Sequence, residues 1–377
     1  MHLPSSAAQG PLRRASAACD RGVRVARRSV YADNIALLMT FTVGTALKNL
    51  ITDIAGVRVG HAHDERLASG VTAILFDTPA VASIDVRGGG PGIRDGVLLE
   101  PVNTVEQVDG FTLSGGSAFG LDSGGGVQAW LAEQGRGFSI GTATIPIVPG
   151  GVIFDMLNGG DKAWGQFSPY RELGYQAAAA ASDAFALGSV GAGLGATTAN
   201  YKGGLGSASA TTPGGIMVGA IAAVNAIGSV TIGDGPWFWS APYEVGDEFG
   251  GCGMPQHFTD EMLAVKIKGA AAATAENTTL VAVVTDALLT KTQVKRLAMM
   301  AQTGFARAIY PVHAPLDGDV VFAAATGNKP VDPLAGLTEL GAIAANTVAR
   351  AIARGVYEAT ALPFKDAQPA WRDQFRR

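Results

Sequence analysis

The junction Asn277-Thr278-Thr279 is where this sequence concentrates nucleophilic potential. A run of small residues, Gly269 to Glu276, ends there, and the apolar, β-branched segment Leu280-Val-Ala-Val-Val-Thr285 begins. The pattern predicts an exposed loop entering a buried strand, with two hydroxyls at the strand's head. Threonine is also an ordinary strand former, so the junction taken alone requires no chemistry. A chain cut between Asn277 and Thr278 would be different. Thr278 would then own a free α-amine, and such a residue carries nucleophile and base together.

Three other places hold side chains suited to such a nucleophile. Between Asp183 and Asp234 the one charged residue is Lys202, in the glycine-rich text Tyr201-Lys-Gly-Gly204. On a surface loop it is inert; desolvated, its pKa falls and it becomes useful beside a nucleophile, and the residues leave both readings open. Asn225 ends an apolar segment, where its amide can aim at a developing oxyanion or simply close a turn. Asp317-Gly-Asp319 precedes the apolar run Val320 to Ala324 and reads either as a turn or as an acidic pair that holds an amine and a hydroxyl in register. The pair lacks the remaining oxygen ligands of a calcium loop. His61 and His63 share one strand face, but no third ligand is placed by the sequence, so no metal is expected. Gly191 to Ala196 imitates a dinucleotide glycine pattern without the acid that should follow, and no phosphate-loop ending exists. Ser117 sits in Gly115-Gly-Ser-Ala-Phe119, which lacks the second glycine of a nucleophile elbow. No cofactor is expected.

These residues need a scaffold, and 377 residues, 47% of them hydrophobic and 16% charged, can bury a large core. A net charge of −4 without a basic, aromatic-studded stripe argues against nucleic acid as a partner. Two cysteines, Cys19 and Cys252, form no framework and suit a reducing, cytoplasmic setting. No apolar run long enough for a membrane span stands out. Residues 1–45, arginine-rich and without periodicity, read as a disordered extension or as text before a true start at Met39; residues 46–377 read as a single domain. Strands are expected over 51–60, 70–76, 81–86, 110–117, 214–224, 280–284 and 320–324. Helices are expected over 118–133, 177–187, 291–310 and 337–357. The Ala/Gly run before Asn277 is the one linker-like stretch within this domain. Strands and long helices alternate without a βαβ period, which indicates a layered α/β domain.

Six segments in order carry a resemblance: Arg87-Gly-Gly-Gly-Pro-Gly92, Leu113-Ser-Gly-Gly-Ser-Ala-Phe-Gly-Leu-Asp122, Tyr201-Lys-Gly-Gly-Leu-Gly-Ser-Ala-Ser209, Val224-Asn225, Asn277-Thr-Thr-Leu280 and Asp317-Gly-Asp319. Together, from about Ile51 to about Ala361, they resemble the DmpA-type aminopeptidases, which include the β-peptidyl aminopeptidases and the nylon-oligomer hydrolases. The resemblance implies an N-terminal-nucleophile hydrolase with a four-layer αββα sandwich like that of the ornithine acetyltransferases. It implies a precursor that cuts itself between Asn277 and Thr278 into an α chain and a β chain. Thr278 would be the nucleophile; Lys202, Asn225, Asp317 and Asp319 match the residues around it. The Asn-Thr-Thr form is closer to the nylon-oligomer branch, since much of the family has serine at the nucleophile position. Phe154 stands where the family often has tyrosine, so it is expected only to line the substrate pocket, as is Ser117. The implied substrate is a small peptide or amide. Endo-hydrolysis of 6-aminohexanoate oligomers and acyl transfer through the same acyl-threonine are the alternatives. A homo-oligomer, a tetramer by resemblance, is the implied assembly.

Overall fold

The computed structural model describes residues 47–269 and 277–375. The extension and the Ala/Gly run from residue 270 to 276 lie outside them. Among the described residues there are eleven strands: β1 Val57–Asp64, β2 Ser69–Val86, β3 Ile93–Arg94, β4 Gln107–Ser114, β5 Phe138–Ile140, β6 Ala143–Ile145, β7 Gly150–Val152, β8 Gly204–Thr211, β9 Met217–Asn225, β10 Thr278–Ala287 and β11 Val320–Lys329. The helices are α1 Ser123–Glu133, α2 Tyr170–Ala179, α3 Lys291–Ala301, the single turn α4 Thr303–Ala306, α5 Ala335–Tyr357 and the short α6 Trp371–Phe375. Pairing runs β3-β7-β4-β2-β11-β10-β9-β8, with β1 also on β2.

One long strand turns this ladder into a sandwich. The first half of β2 pairs with β1 and β4, and its second half, from Val81, pairs with β11. Side chains alternate across a strand, so each half of the ladder buries two faces. Ile74, Phe76, Phe111 and Leu113 meet Leu280, Ala282, Val284 and Phe322 between the halves. On the outside, Val71, Ala73 and Leu75 pack on Val127 and Leu131 of α1 and Leu173 of α2. On the other outside, Val281, Val283 and Val321 pack on Leu297 of α3 and Val348 and Ile352 of α5. Three apolar layers between four structural ones make the expected αββα sandwich.

Local expectations fail where tertiary contacts override sequence pattern. The strands expected over 70–76 and 81–86 are one strand: exposed Asp77, Thr78 and Pro79 imitate a turn, but the chain stays extended while it changes partners. The helix expected over 177–187 is instead α2, which stops at Ala179 because β1 captures the next segment; Val59 and Ser182 exchange both backbone hydrogen bonds, at 2.9 and 3.0 Å. The helix expected over 291–310 breaks at Gln302, whose amide donates to the Asp85 carbonyl at 2.8 Å. Glycine hid β8 altogether. A Cβ on Gly206 would fall 1.9 Å from the Ala351 carbonyl oxygen, so its absence lets α5 lie directly on the strand.

Candidate active site

The ends of four neighbouring strands meet at one edge of the sandwich. Lys202 lies just before β8, Asn225 ends β9, Thr278 begins β10 and Asp319 immediately precedes β11. Asn225 and Thr278 are direct partners in the antiparallel β9–β10 register, which puts their side chains on the same face. That face is the inner one, since Ala223 and Leu280, two residues along each strand, pack between the sheets.

The peptide bond from Asn277 to Thr278 is held on both sides. The Thr278 hydroxyl donates to the Asn277 carbonyl oxygen at 2.5 Å, and the Gly318 N–H donates to the same oxygen at 2.7 Å. The Asn277 N–H donates to the Leu316 carbonyl at 3.2 Å, and Asn277 bridges Asp317 in parallel. Both Asn277 and Thr278 are buried. The glycine between the two acids has a steric reason: a Cβ on Gly318 would lie 2.3 Å from the Thr278 hydroxyl oxygen.

Asp319 is a fixed carboxylate. Its Oδ1 accepts the Thr279 N–H at 2.8 Å; its Oδ2 accepts the His313 N–H at 3.2 Å and lies 2.9 Å from the His313 ring Nδ1. His313 adopts a left-handed backbone, φ 58°, a conformation that a non-glycine residue keeps only when its surroundings hold it there. Asp317 is buried beside Asp319, and among the described residues its Oδ1 has no hydrogen-bond partner. Burial, reinforced by the charge of Asp319, pushes the Asp317 carboxyl well above the usual carboxylate range. The glycine cluster after Arg87 serves this loop. The Arg87 and Gly88 N–H groups donate to the Asp319 carbonyl and Gly90 to the Asp317 carbonyl, and a Cβ on Gly88 would fall 2.2 Å from that Asp317 oxygen.

Next to Asn225, which hydrogen-bonds three of its lining residues, a cavity of about 410 Å³ is lined by Phe154, Asp155, Thr197, Lys202, Lys268 and Gln368, among others. Lys202 is not a surface residue. It is 1% exposed, and its ammonium donates to the Gly193 carbonyl at 3.0 Å and the Gly203 carbonyl at 2.8 Å. Burial pulls its pKa down to about 7; Asp155 opposes that fall and Lys268 adds to it. The Lys268 side chain is partly exposed, but its ammonium is enclosed, and burial lowers its pKa to about 7 as well, against the pull of Asp317 and Asp155. Asp155 accepts the Ser69 hydroxyl at 2.6 Å and the Gly116 N–H at 2.7 Å. Burial outweighs those bonds and the nearby Lys162, and raises its pKa.

The structure places Thr278, Asn225, Asp317 and Asp319 at neighbouring strand ends, and Lys202 and Phe154 in the wall of the cavity. Ser117 is not among the lining residues; it opens a 3₁₀ turn, with its N–H on the Ile153 carbonyl at 3.0 Å. Three residues went unread in the sequence: Lys268, Asp155 and His313. Asp155 adjoins Phe154, and His313 lies six residues before Asp319. Lys268 directly precedes the small-residue run, two residues after Lys266, and that position was the available signal. His61 faces Thr72 at 3.1 Å and His63 accepts the Gly191 N–H at 3.4 Å; among the described residues no group of three or more His, Cys, Asp or Glu converges on a metal site. Nor is any described helix long and apolar enough to cross a membrane.

The profile of peptidase family S58 matches residues 49–369. The chain belongs to peptidase family S58. Among curated relatives, this S58 member is 40% identical to an uncharacterized aminopeptidase of Mycobacterium bovis over 87% of its own length and 98% of the relative's. It is 26% identical to a 6-aminohexanoate-oligomer endohydrolase of a Kocuria species, over 82% and 84% of the two chains. Among solved structures, a beta-aminopeptidase of a Burkholderia species superposes with a TM-score of 0.62 at 23% identity, covering 86% and 90% of the two chains. The L-aminopeptidase D-Ala-esterase/amidase of Ochrobactrum anthropi, described as a variant of the Ntn-hydrolase fold, gives 0.62 at 19% identity, covering 84% and 88%. At those identities the likeness establishes the fold. This S58 protein is thus an aminopeptidase, a hydrolase of peptide or amide bonds, built on the Ntn-hydrolase fold.

Proposed function

We propose that the protein is a self-processing N-terminal-threonine aminopeptidase that cuts small peptides or amino-acid amides through an acyl-Thr278 ester. The Thr278 hydroxyl attacks the Asn277 carbonyl carbon, and the peptide nitrogen leaves as the Thr278 amine while taking up a proton. Water then hydrolyses the ester to a carboxylate on Asn277. The products are an α chain ending at Asn277 and a β chain beginning at Thr278. In turnover, the new α-amine accepts the hydroxyl proton as Thr278 attacks the substrate carbonyl. Free α-amines titrate at about 7.7–8.0, and Lys202 and Lys268, to the extent that they are protonated, push that value down. Asp319 and Asp317 hold the head of β10, and Asn225 donates to the oxyanion.

The observation that carries this reading is the clamp on one peptide bond: the Thr278 hydroxyl and the Gly318 N–H both meet the Asn277 carbonyl oxygen, opposite Asn225 in the strand register. The test is the full chain with Thr278→Ala, analysed by denaturing gel and N-terminal sequencing. Wild type should yield a fragment starting at Thr278, and the variant a single uncut chain; a cut variant would sink the proposal. The 6-aminohexanoate-oligomer endohydrolases among the relatives favour a second substrate reading. Product sizes from an internally labelled ω-amino-acid oligomer distinguish it, because stepwise end release and internal cuts leave different ladders. An added amine acceptor that becomes acylated would instead point to transfer.

A further inference from the structure

We propose that Lys268 is a positioning residue for this site, whose ammonium fixes the side-chain amide of Asn225 with its nitrogen turned toward the reacting carbonyl. The proposal rests on the reading of Thr278 as a self-cleaving nucleophile.

An ammonium carries only donors, and a carboxamide presents an acceptor at one end and two N–H groups at the other. Whatever faces Lys268 must therefore be the oxygen. The Lys268 Nζ donates to Asn225 Oδ1 at 2.9 Å, and the Thr197 N–H reaches the same oxygen at 3.0 Å. With Oδ1 held by two donors, Nδ2 points the other way. One of its N–H groups goes to the Phe154 carbonyl at 3.0 Å. Among the described residues the second has no other partner, which leaves it for the reacting carbonyl of Asn277, whose neighbour Thr278 is the strand partner of Asn225.

The anchoring of Lys268 is divided between Asn225 and Thr197, the residue whose N–H shares the Asn225 oxygen. Its remaining ammonium contacts are the Thr197 carbonyl at 3.0 Å, the Thr197 hydroxyl at 3.3 Å and the Asn225 carbonyl at 3.4 Å. Its backbone N–H donates to the Ile227 carbonyl at 2.9 Å, two residues beyond Asn225. Among the described residues it forms no ion pair, and its short contacts all go to neutral oxygens. Enclosure lowers its pKa although the charges of Asp317 and Asp155 pull the other way, so burial outweighs both carboxylates.

The experiment uses cell-free synthesis of the full chain, with precursor loss followed over time for wild type, Lys268→Met, Lys268→Arg, Asn225→Ala and the Met/Ala double variant. A hydrogen bond to a charged group is lost in Lys268→Met, so processing should slow about 10-fold or more. Lys268→Arg keeps a donor and should recover most of the rate. If Lys268 acts through Asn225, the double variant should be no slower than Asn225→Ala alone. Processing of Lys268→Met at the wild-type rate, or a double variant slowed by the product of the two single effects, overturns the proposal. Should Asn225→Ala be too slow to measure, the arginine variant decides: a rate near wild type supports the role, and a rate equal to that of the methionine variant removes it. A wild-type chain that stays whole would instead reject the Thr278 reading itself, so the two failures are distinguishable.

Discussion

Two buried charge clusters in this protein follow opposite rules. Along β8, away from the cavity, Arg350 lies fully buried, with its guanidinium on both oxygens of Glu248 at 2.5 and 3.0 Å, on the Ser209 carbonyl at 2.8 Å and on Asn49 at 2.9 Å. Burial would raise the Glu248 pKa, but the hydrogen bond and charge of Arg350, helped by Asn49 and Arg354, outweigh it and hold the carboxyl below its ordinary value. At the strand ends, Lys202 finds only carbonyl oxygens and Asp317 keeps an oxygen unbonded, so burial wins and pulls both toward neutrality. Paired charges lock structure. Unpaired ones, shifted into the working pH range, are the kind that do acid–base work.

The largest break in this contrast should come from Lys202→Met. Loss of a group stabilising developing charge should slow processing by about 10²–10³ or more, while thermal stability holds or rises, because a poorly compensated buried cation is gone. The sign in pH follows from a folded pKa near 7, below the unfolded lysine value. The stabilisation is present above the unfolded pKa and is lost as pH falls through 7. Melting curves from pH 7 to 10 should therefore rise less steeply for the variant; an unchanged slope would mean Lys202 is charged in the fold. Glu248→Gln should do the reverse. It strands Arg350 as an unpaired buried charge, at a cost of about 3 kcal/mol or more in denaturant unfolding, yet folded molecules should process normally.

Gly318→Ala probes geometry without charge. A new methyl 2.3 Å from the Thr278 hydroxyl must push the nucleophile aside, slowing processing about 10²-fold with little loss of stability. Processing at the wild-type rate would show that the hydroxyl does not need its present position. The smallest effect belongs to Asp317→Asn, measured in the uncut Thr278→Ala background. A raised folded pKa gives stability that is full below the unfolded carboxylate value and lost as pH rises through the folded one. The asparagine variant should therefore gain on its parent as pH climbs from 4 to 8. A constant difference would place the shift elsewhere.

Much of the site was written in the residues. Thr278 at the head of an apolar run, Asn225 at the end of another and an acid pair before a third are legible, because strands announce their ends by where apolar text stops. Lys202 was legible as an oddity but not as a buried group, since its burial depends on Gly193, Gly203 and the cavity wall closing around it. Lys268 and His313 were missed for a related reason. Their partners, Asn225 and Asp319, lie 43 and six residues away, and only the folded chain defines those contacts.

Local text alone determined the layered α/β class, most of the buried strands and the pattern at Asn277-Thr278, because hydrophobic periodicity and turn chemistry act over a few residues. The four-layer αββα form was implied only by the family resemblance. Tertiary structure decided the rest: that two expected strands are one, that a glycine-rich segment is a strand pressed against α5, and which lysines lose their water. Burial and partner choice are sums over distant neighbours, and such sums exist only once the layers have closed.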